Sequence, residues 1–237
     1  MNDKWSPREV LHRDYSSHPP AYAPGYKTSV LRSPRNALIS LQNSLSEITG
    51  PVFSSDDLGA LDNDLILNYA KDGLPIGERI IVHGYVRDGF GRPMKNTLVE
   101  IWQANAAGRY NHPDDRQQNK KLDAEFRGWG RSCSDFTSGI WRFETIKPGA
   151  VVGRDGRVMA PHVNLWVVAR GINIGLNTRM YFSDEQDANQ ADPVLNLIEW
   201  EVRRQTLIGQ REVRGTEIVY RFDIHLQGDN ETVFFDI

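Results

Sequence analysis

Two side chains in this sequence have the chemistry of hard-metal ligands. They are Tyr110, in Gly108-Arg109-Tyr110-Asn111-His112-Pro113, and His162, in Pro161-His162-Val163-Asn164-Leu165-Trp166. A site for ferric iron needs tyrosine, histidine or carboxylate groups converging on one point. In an extended strand, His162 and Asn164 share one face while Val163 and Leu165 point to the other. A histidine beside such an apolar face is either a ligand or a core residue satisfied by a backbone carbonyl, and the second is the commoner outcome. Tyr110 follows a strand-like run, and composition alone makes it a half-buried loop residue. His83, His112 and His225 read as surface or strand-face residues, and His12 and His18 lie near the N-terminus.

Other chemistries find no support. The sequence lacks a nucleophile elbow, a phosphate-binding glycine loop and a His-Glu-x-x-His pattern. Its single cysteine, Cys133, permits no intrachain disulfide and no cysteine metal cluster, and reads as an ordinary thiol. A net charge of -3, with both signs interspersed, offers no footprint for nucleic acid. No apolar run approaches the roughly 20 residues of a membrane span. The start, Met1-Asn2-Asp3-Lys4-Trp5-Ser6-Pro7, has no apolar core of a signal peptide, so a cytoplasmic location is expected.

The elements that must position these residues are mostly strands. Alternation predicts strands over 79–87, 96–103, 139–146, 162–169, 178–182, 217–226 and 232–235. Such spacing, with Gly/Pro turns between, predicts an all-β sandwich or barrel. One helix is expected after Asp192 as cap and Pro193 at the first helical position, with Leu195, Ile198 and Val202 as its apolar stripe. His18-Pro19-Pro20-Ala21-Tyr22-Ala23-Pro24 is incompatible with a helix and reads as an extended arm, and a short helix is expected to open at Ser33-Pro34. The chain is therefore divided into an arm with a short helix, 1–75, and a β-sandwich, 76–237.

Several longer words resemble the intradiol ring-cleavage dioxygenase family. Tyr26-Lys27-Thr28-Ser29, Arg32-Ser33-Pro34, the stretch 64–79, Val99-Glu100-Ile101-Trp102-Gln103-Ala104-Asn105 and Gly108-Arg109-Tyr110 resemble the iron-binding β-type subunits of its protocatechuate-cleaving members. From about residue 122 the words change. Ala160-Pro161-His162-Val163-Asn164, Ala169-Arg170-Gly171-Ile172-Asn173, 192–199 and 231–236 resemble the iron-free α-type subunits. In-frame exchange between two homologous genes would produce such a chain.

The resemblance implies a sandwich core, oligomeric assembly with homologous α/β-type subunits, and a non-haem Fe(III) held by two tyrosines and two histidines. It also implies O2-dependent opening of protocatechuate to 3-carboxy-cis,cis-muconate, in the β-ketoadipate pathway. Carried over residue by residue, the ligand pattern matches Tyr110 and His162, which would be catalytic. Its second tyrosine falls on Val151 and its second histidine on Asn164. Substrate-binding positions match Tyr26, Gly50, Pro51, Trp102 and Arg170. The arginine and glutamine beside the iron fall on Met159 and Arg179. The resemblance also allows a second role, that of an α-like partner completing a pocket without iron.

Overall fold

The computed structural model describes residues 57–115, 117–153, 155–172 and 174–236, together with Arg32 and Asn36. The chain divides into two units, Met1–Gly50 and Pro51–Ile237, and the second is described here. Apart from Arg32 and Asn36, the expected arm and its helix, with Tyr26, Gly50 and Pro51, lie outside the described residues.

The strands are β1 (Arg79–Arg87), β2 (Leu98–Gln103), β3 (Trp129–Cys133), β4 (Ile140–Ile146), β5 (Val151–Val152), β6 (Val158–Met159), β7 (His162–Val168), β8 (Leu176–Phe182), β9 (Ile208–Arg214), β10 (Glu217–Arg221) and β11 (Ile224–His225). Two short helices of the second unit's described residues, α1 (Gln186–Ala191) and α2 (Glu201–Gln205), accompany the all-β core. One leaf runs β4-β1-β10-β9, with β11 continuing beside β1, and the other runs β8-β7-β2-β3. Strand β9 joins them, pairing antiparallel with β10 and parallel with β8. Opposite that join, the backbone of residues 62–65 bridges β3 and β4. Arg131 N–H donates to Asp62 O at 2.8 Å, and Leu65 N–H to Glu144 O at 2.8 Å.

Alternation explains the core. Ile80, Val82 and Val86 from β1, with Trp141 and Phe143 from β4, face Val99, Ile101, Val163, Leu165, Val167, Met180 and Phe182 from the other leaf. Gly84 interrupts the β1 series because an added Cβ would lie 1.8 Å from the Phe222 carbonyl oxygen. One polar pair is buried within this core. Thr145 Oγ1 donates to Gln103 Oε1 at 2.9 Å, and Gln103 Nε2 donates to Ile146 O at 2.9 Å. Thr145→Val keeps the shape but strips that amide oxygen of its donor, so a loss of about 2 kcal/mol is expected. A urea titration yielding an unchanged midpoint would contradict it.

Three expectations change. The single helix after Asp192 is a 3-10 turn, Leu195–Leu197, followed by extended Ile198 and a separate helix, α2, starting past Trp200. Leu195 is buried but Val202 is exposed, because the break at Ile198 puts the two turns out of phase. The strand expected over 217–226 is split at Phe222-Asp223 into β10 and β11. The strand expected over 232–235 is reduced to one bridge between Phe235 and Asn177. Strands β3, β5, β6 and β9, and helix α1, went unseen in the sequence.

Candidate functional site

The outer face of the second leaf carries the site. Trp102 on β2 is the cross-strand partner of Asn164 on β7, which partners Arg179 on β8. His162 likewise partners Tyr181. These side chains leave the sheet on the side opposite Val163 and Leu165, as the alternation predicts.

Tyr110 reaches this face from the loop after β2, and Asn105 shapes that loop. Its Oδ1 accepts from the Ala107 and Arg109 amides at 3.0 Å each, and its Nδ2 donates to Lys121 O at 2.9 Å. Gly108, at φ 77°, packs against the residue preceding β5, where a Cβ would fall 1.9 Å from Ala150 O. The Tyr110 amide then donates to Asp115 Oδ2 at 2.7 Å. The tyrosine ring stacks on Trp102 at 5.5 Å between centroids.

His162 is 1% exposed. Its Nδ1 lies 2.7 Å from Ala160 O, a carbonyl that can only accept, so Nδ1 carries the hydrogen and Nε2 holds the lone pair. The backbone carbonyl expected of a core histidine satisfies Nδ1, while Nε2 faces the Tyr110 hydroxyl at 3.4 Å. Burial is the main cause lowering its pKa to about 4, with the Arg179 charge adding to it. Burial raises the Tyr110 phenol, partly offset by the Asn164 hydrogen bond.

Asp192 supports this arrangement from behind. It is fully buried, and its carboxylate accepts from the Ala160, Val194 and Leu195 amides at 2.8 Å and from the Tyr181 hydroxyl at 3.2 Å. The sequence shows Asp192 only as a cap. Its tie to Ala160, and through Ala160 to His162, has no local signal. Asp192 and Asn105 are the positioning residues that sequence reasoning missed.

The donor set does not fit a ferric ion. Tyr110 and His162 offer a phenol oxygen and an imidazole nitrogen 3.4 Å apart, which supply two of the four donors that the ligand pattern needs. Asn164 turns its N–H edge inward, since Nδ2 donates both to Trp102 O and to the Tyr110 oxygen at 3.1 Å. Val151, buried at the start of β5, has no lone pair. Among the described residues no group of three or more His, Cys, Asp or Glu side chains could hold a metal.

The remaining candidates separate from this pair. Trp102 belongs to the site through its stack. Arg170 is exposed in the turn after β7, at the opposite end of that strand from His162, with roughly 20 Å of strand between them. Cys133 is half-buried, and burial raises its thiol pKa, which disfavours a nucleophilic thiolate. No helix among the described residues is long and apolar enough to cross a membrane.

An all-β core with a tyrosine and a histidine convergent on the outer face of one leaf is the class that fold and site define. The family described as Dioxygenase matches residues 48–228, and the one described as protocatechuate 3,4-dioxygenase beta subunit N terminal matches residues 11–44. The protocatechuate 3,4-dioxygenase alpha chain of Pseudomonas putida is 47% identical over 176 residues, covering 74% of this chain and 84% of its own. The corresponding beta chain of Burkholderia cepacia is 41% identical over 233 residues, 96% of this chain and 97% of its own. The solved catechol 1,2-dioxygenase of Pseudomonas arvilla C-1 aligns at TM-score 0.49 and 23% identity over 76% of this chain and 60% of its own. The chain belongs to the intradiol ring-cleavage dioxygenase family.

Proposed function

We propose that this chain serves the O2-dependent intradiol cleavage of protocatechuate to 3-carboxy-cis,cis-muconate, in the β-ketoadipate pathway, as a subunit that holds no iron of its own. The observation that carries the reading is the donor set: Val151 and Asn164 stand at two of the four positions of the ligand pattern, and Asn164 turns an N–H toward Tyr110. The Fe(III) would reside on a homologous β-type chain in the same oligomer. The relatives support this, since both an alpha and a beta chain of the Burkholderia cepacia protocatechuate 3,4-dioxygenase are among them.

Arg170 is exposed and remote from this chain's own Tyr110–His162 pair, which suits a role toward a neighbouring subunit's substrate. A guanidinium can grip a carboxylate with two parallel hydrogen bonds. Tyr26, Gly50, Pro51 and Trp102 remain the proposed pocket-lining positions. A cytoplasmic location is part of the same reading.

The test is elemental analysis of the chain purified alone, paired with turnover in the presence and absence of a co-expressed β-type subunit. Iron far below one per chain, with activity only in the mixture, is expected. A second reading, in which this chain is itself the enzyme, has the end-to-end match to a beta chain in its favour. Near-stoichiometric iron and a visible colour that shifts with protocatechuate would establish that second reading and end the first.

A further inference from the structure

The face that carries Tyr110 and His162 also carries an arginine with no carboxylate. Arg179 stands directly across from Asn164 in the β7–β8 register. Their Cβ atoms are therefore roughly 5 Å apart on one side of the sheet. Among the described residues Arg179 makes no ion pair. Its Nη1 lies 3.6 Å from the Met159 sulfur, and its guanidinium carbon 5.9 Å from the centre of the Phe235 ring. A thioether is a weak acceptor, and a ring face attracts a cation without neutralising it. The Tyr181 hydroxyl is also a hydrogen-bond partner of Arg179, but burial keeps that phenol protonated, so it supplies no counter-charge.

The neighbouring anions are already engaged. Asp192 accepts from three amides and the Tyr181 hydroxyl, and Asp115 accepts from the Tyr110 and Gln117 amides. Asn164 spends its amide hydrogens on Trp102 O and on the Tyr110 oxygen. The hydrogen of the Tyr110 hydroxyl is left to share, and its present acceptor, His162 Nε2, is a long 3.4 Å away. A metal cation placed here would meet a fixed positive charge. A carboxylate would meet a guanidinium and a phenol O–H, beside the half-buried Trp102–Tyr110 stack.

We propose that the Tyr110–Arg179 face is a binding site for a small carboxylate, with Arg179 as its cation and Asn164 holding Tyr110 in place. The proposal rests on the reading that this chain holds no iron.

The experiment is a benzoate titration of the full chain, followed by NMR at the Trp102 indole N–H and the Arg179 Nε–H, with iron measured on the same sample. Benzoate is expected to shift both signals. Benzamide, the same ring without charge, is expected to leave them unmoved. Arg179→Gln should weaken benzoate by about tenfold or more, the loss of one charge-assisted contact. Tyr110→Phe, which keeps the ring stack, should weaken it less. Iron-free protein whose shifts lie elsewhere, or which binds benzamide equally, overturns the carboxylate site and leaves the proposed function standing. So does benzoate affinity lost in Arg170→Gln and kept in Arg179→Gln. Stoichiometric iron in the sample overturns both.

Discussion

Asp192→Ala is expected to cost about 4 kcal/mol, a large share of a domain's stability. The residue is fully buried, and its loss strands the amides of Ala160, Val194 and Leu195 and the hydroxyl of Tyr181. Each buried donor without a partner costs on the order of 1–3 kcal/mol, less whatever water can recover. Asp192→Asn keeps one acceptor oxygen and should cost about half as much. The effect should reach the site as well. Ala160 sits between Asp192 and His162, giving its N–H to one and its carbonyl to the other. In the wild type the imidazole nitrogen shifts should report a single tautomer, protonated at Nδ1. In a folded Asp192 variant the two tautomers should mix. A variant with wild-type stability and an unmixed histidine would show that the carboxylate positions nothing.

Gly108→Ala should do comparable damage through the backbone. Residue 108 has φ 77°, which costs a side-chain-bearing residue roughly 1 kcal/mol. The added Cβ would also stand 1.9 Å from Ala150 O and 2.7 Å from Lys120 Nζ. The lysine can swing away, though it would give up its 2.5 Å bond to Ala150 O. The carbonyl belongs to the segment leading into β5 and can move only with it. A total near 3 kcal/mol is expected, of the size seen when special backbone geometry is broken. Two residues on, Tyr110 should lose its stacked position on Trp102, and the near-ultraviolet circular dichroism of that pair should fall. An unchanged spectrum in a destabilised variant would mean that the stack, and not the turn, holds the tyrosine.

The fold was legible wherever one face of a strand is buried. In β1 and β7 the apolar residues alternate, and the period of two both marks the strand and assigns the faces. That period alone puts His162 and Asn164 on one side of β7. Strand β9, Ile208–Arg214, was illegible because it is mostly polar and exposed, and its role is to join the leaves by pairing with β8 and β10. The stripe Leu195, Ile198, Val202 misled because periodicity cannot report the extended residue between two turns.

By itself the sequence determined the family, the strand faces and the absence of a lone pair at Val151, since these depend on residue identity and local repeat. The tertiary structure decided the rest. The meeting of Tyr110, His162, Asn164 and Arg179 brings a loop and two strands together, and no sequence period spans that distance. Which nitrogen of His162 is free was settled by Ala160 O, and which edge of Asn164 faces Tyr110 by Trp102 O. Those are choices between equal donors and acceptors, and only a neighbour fixed by the fold can make them.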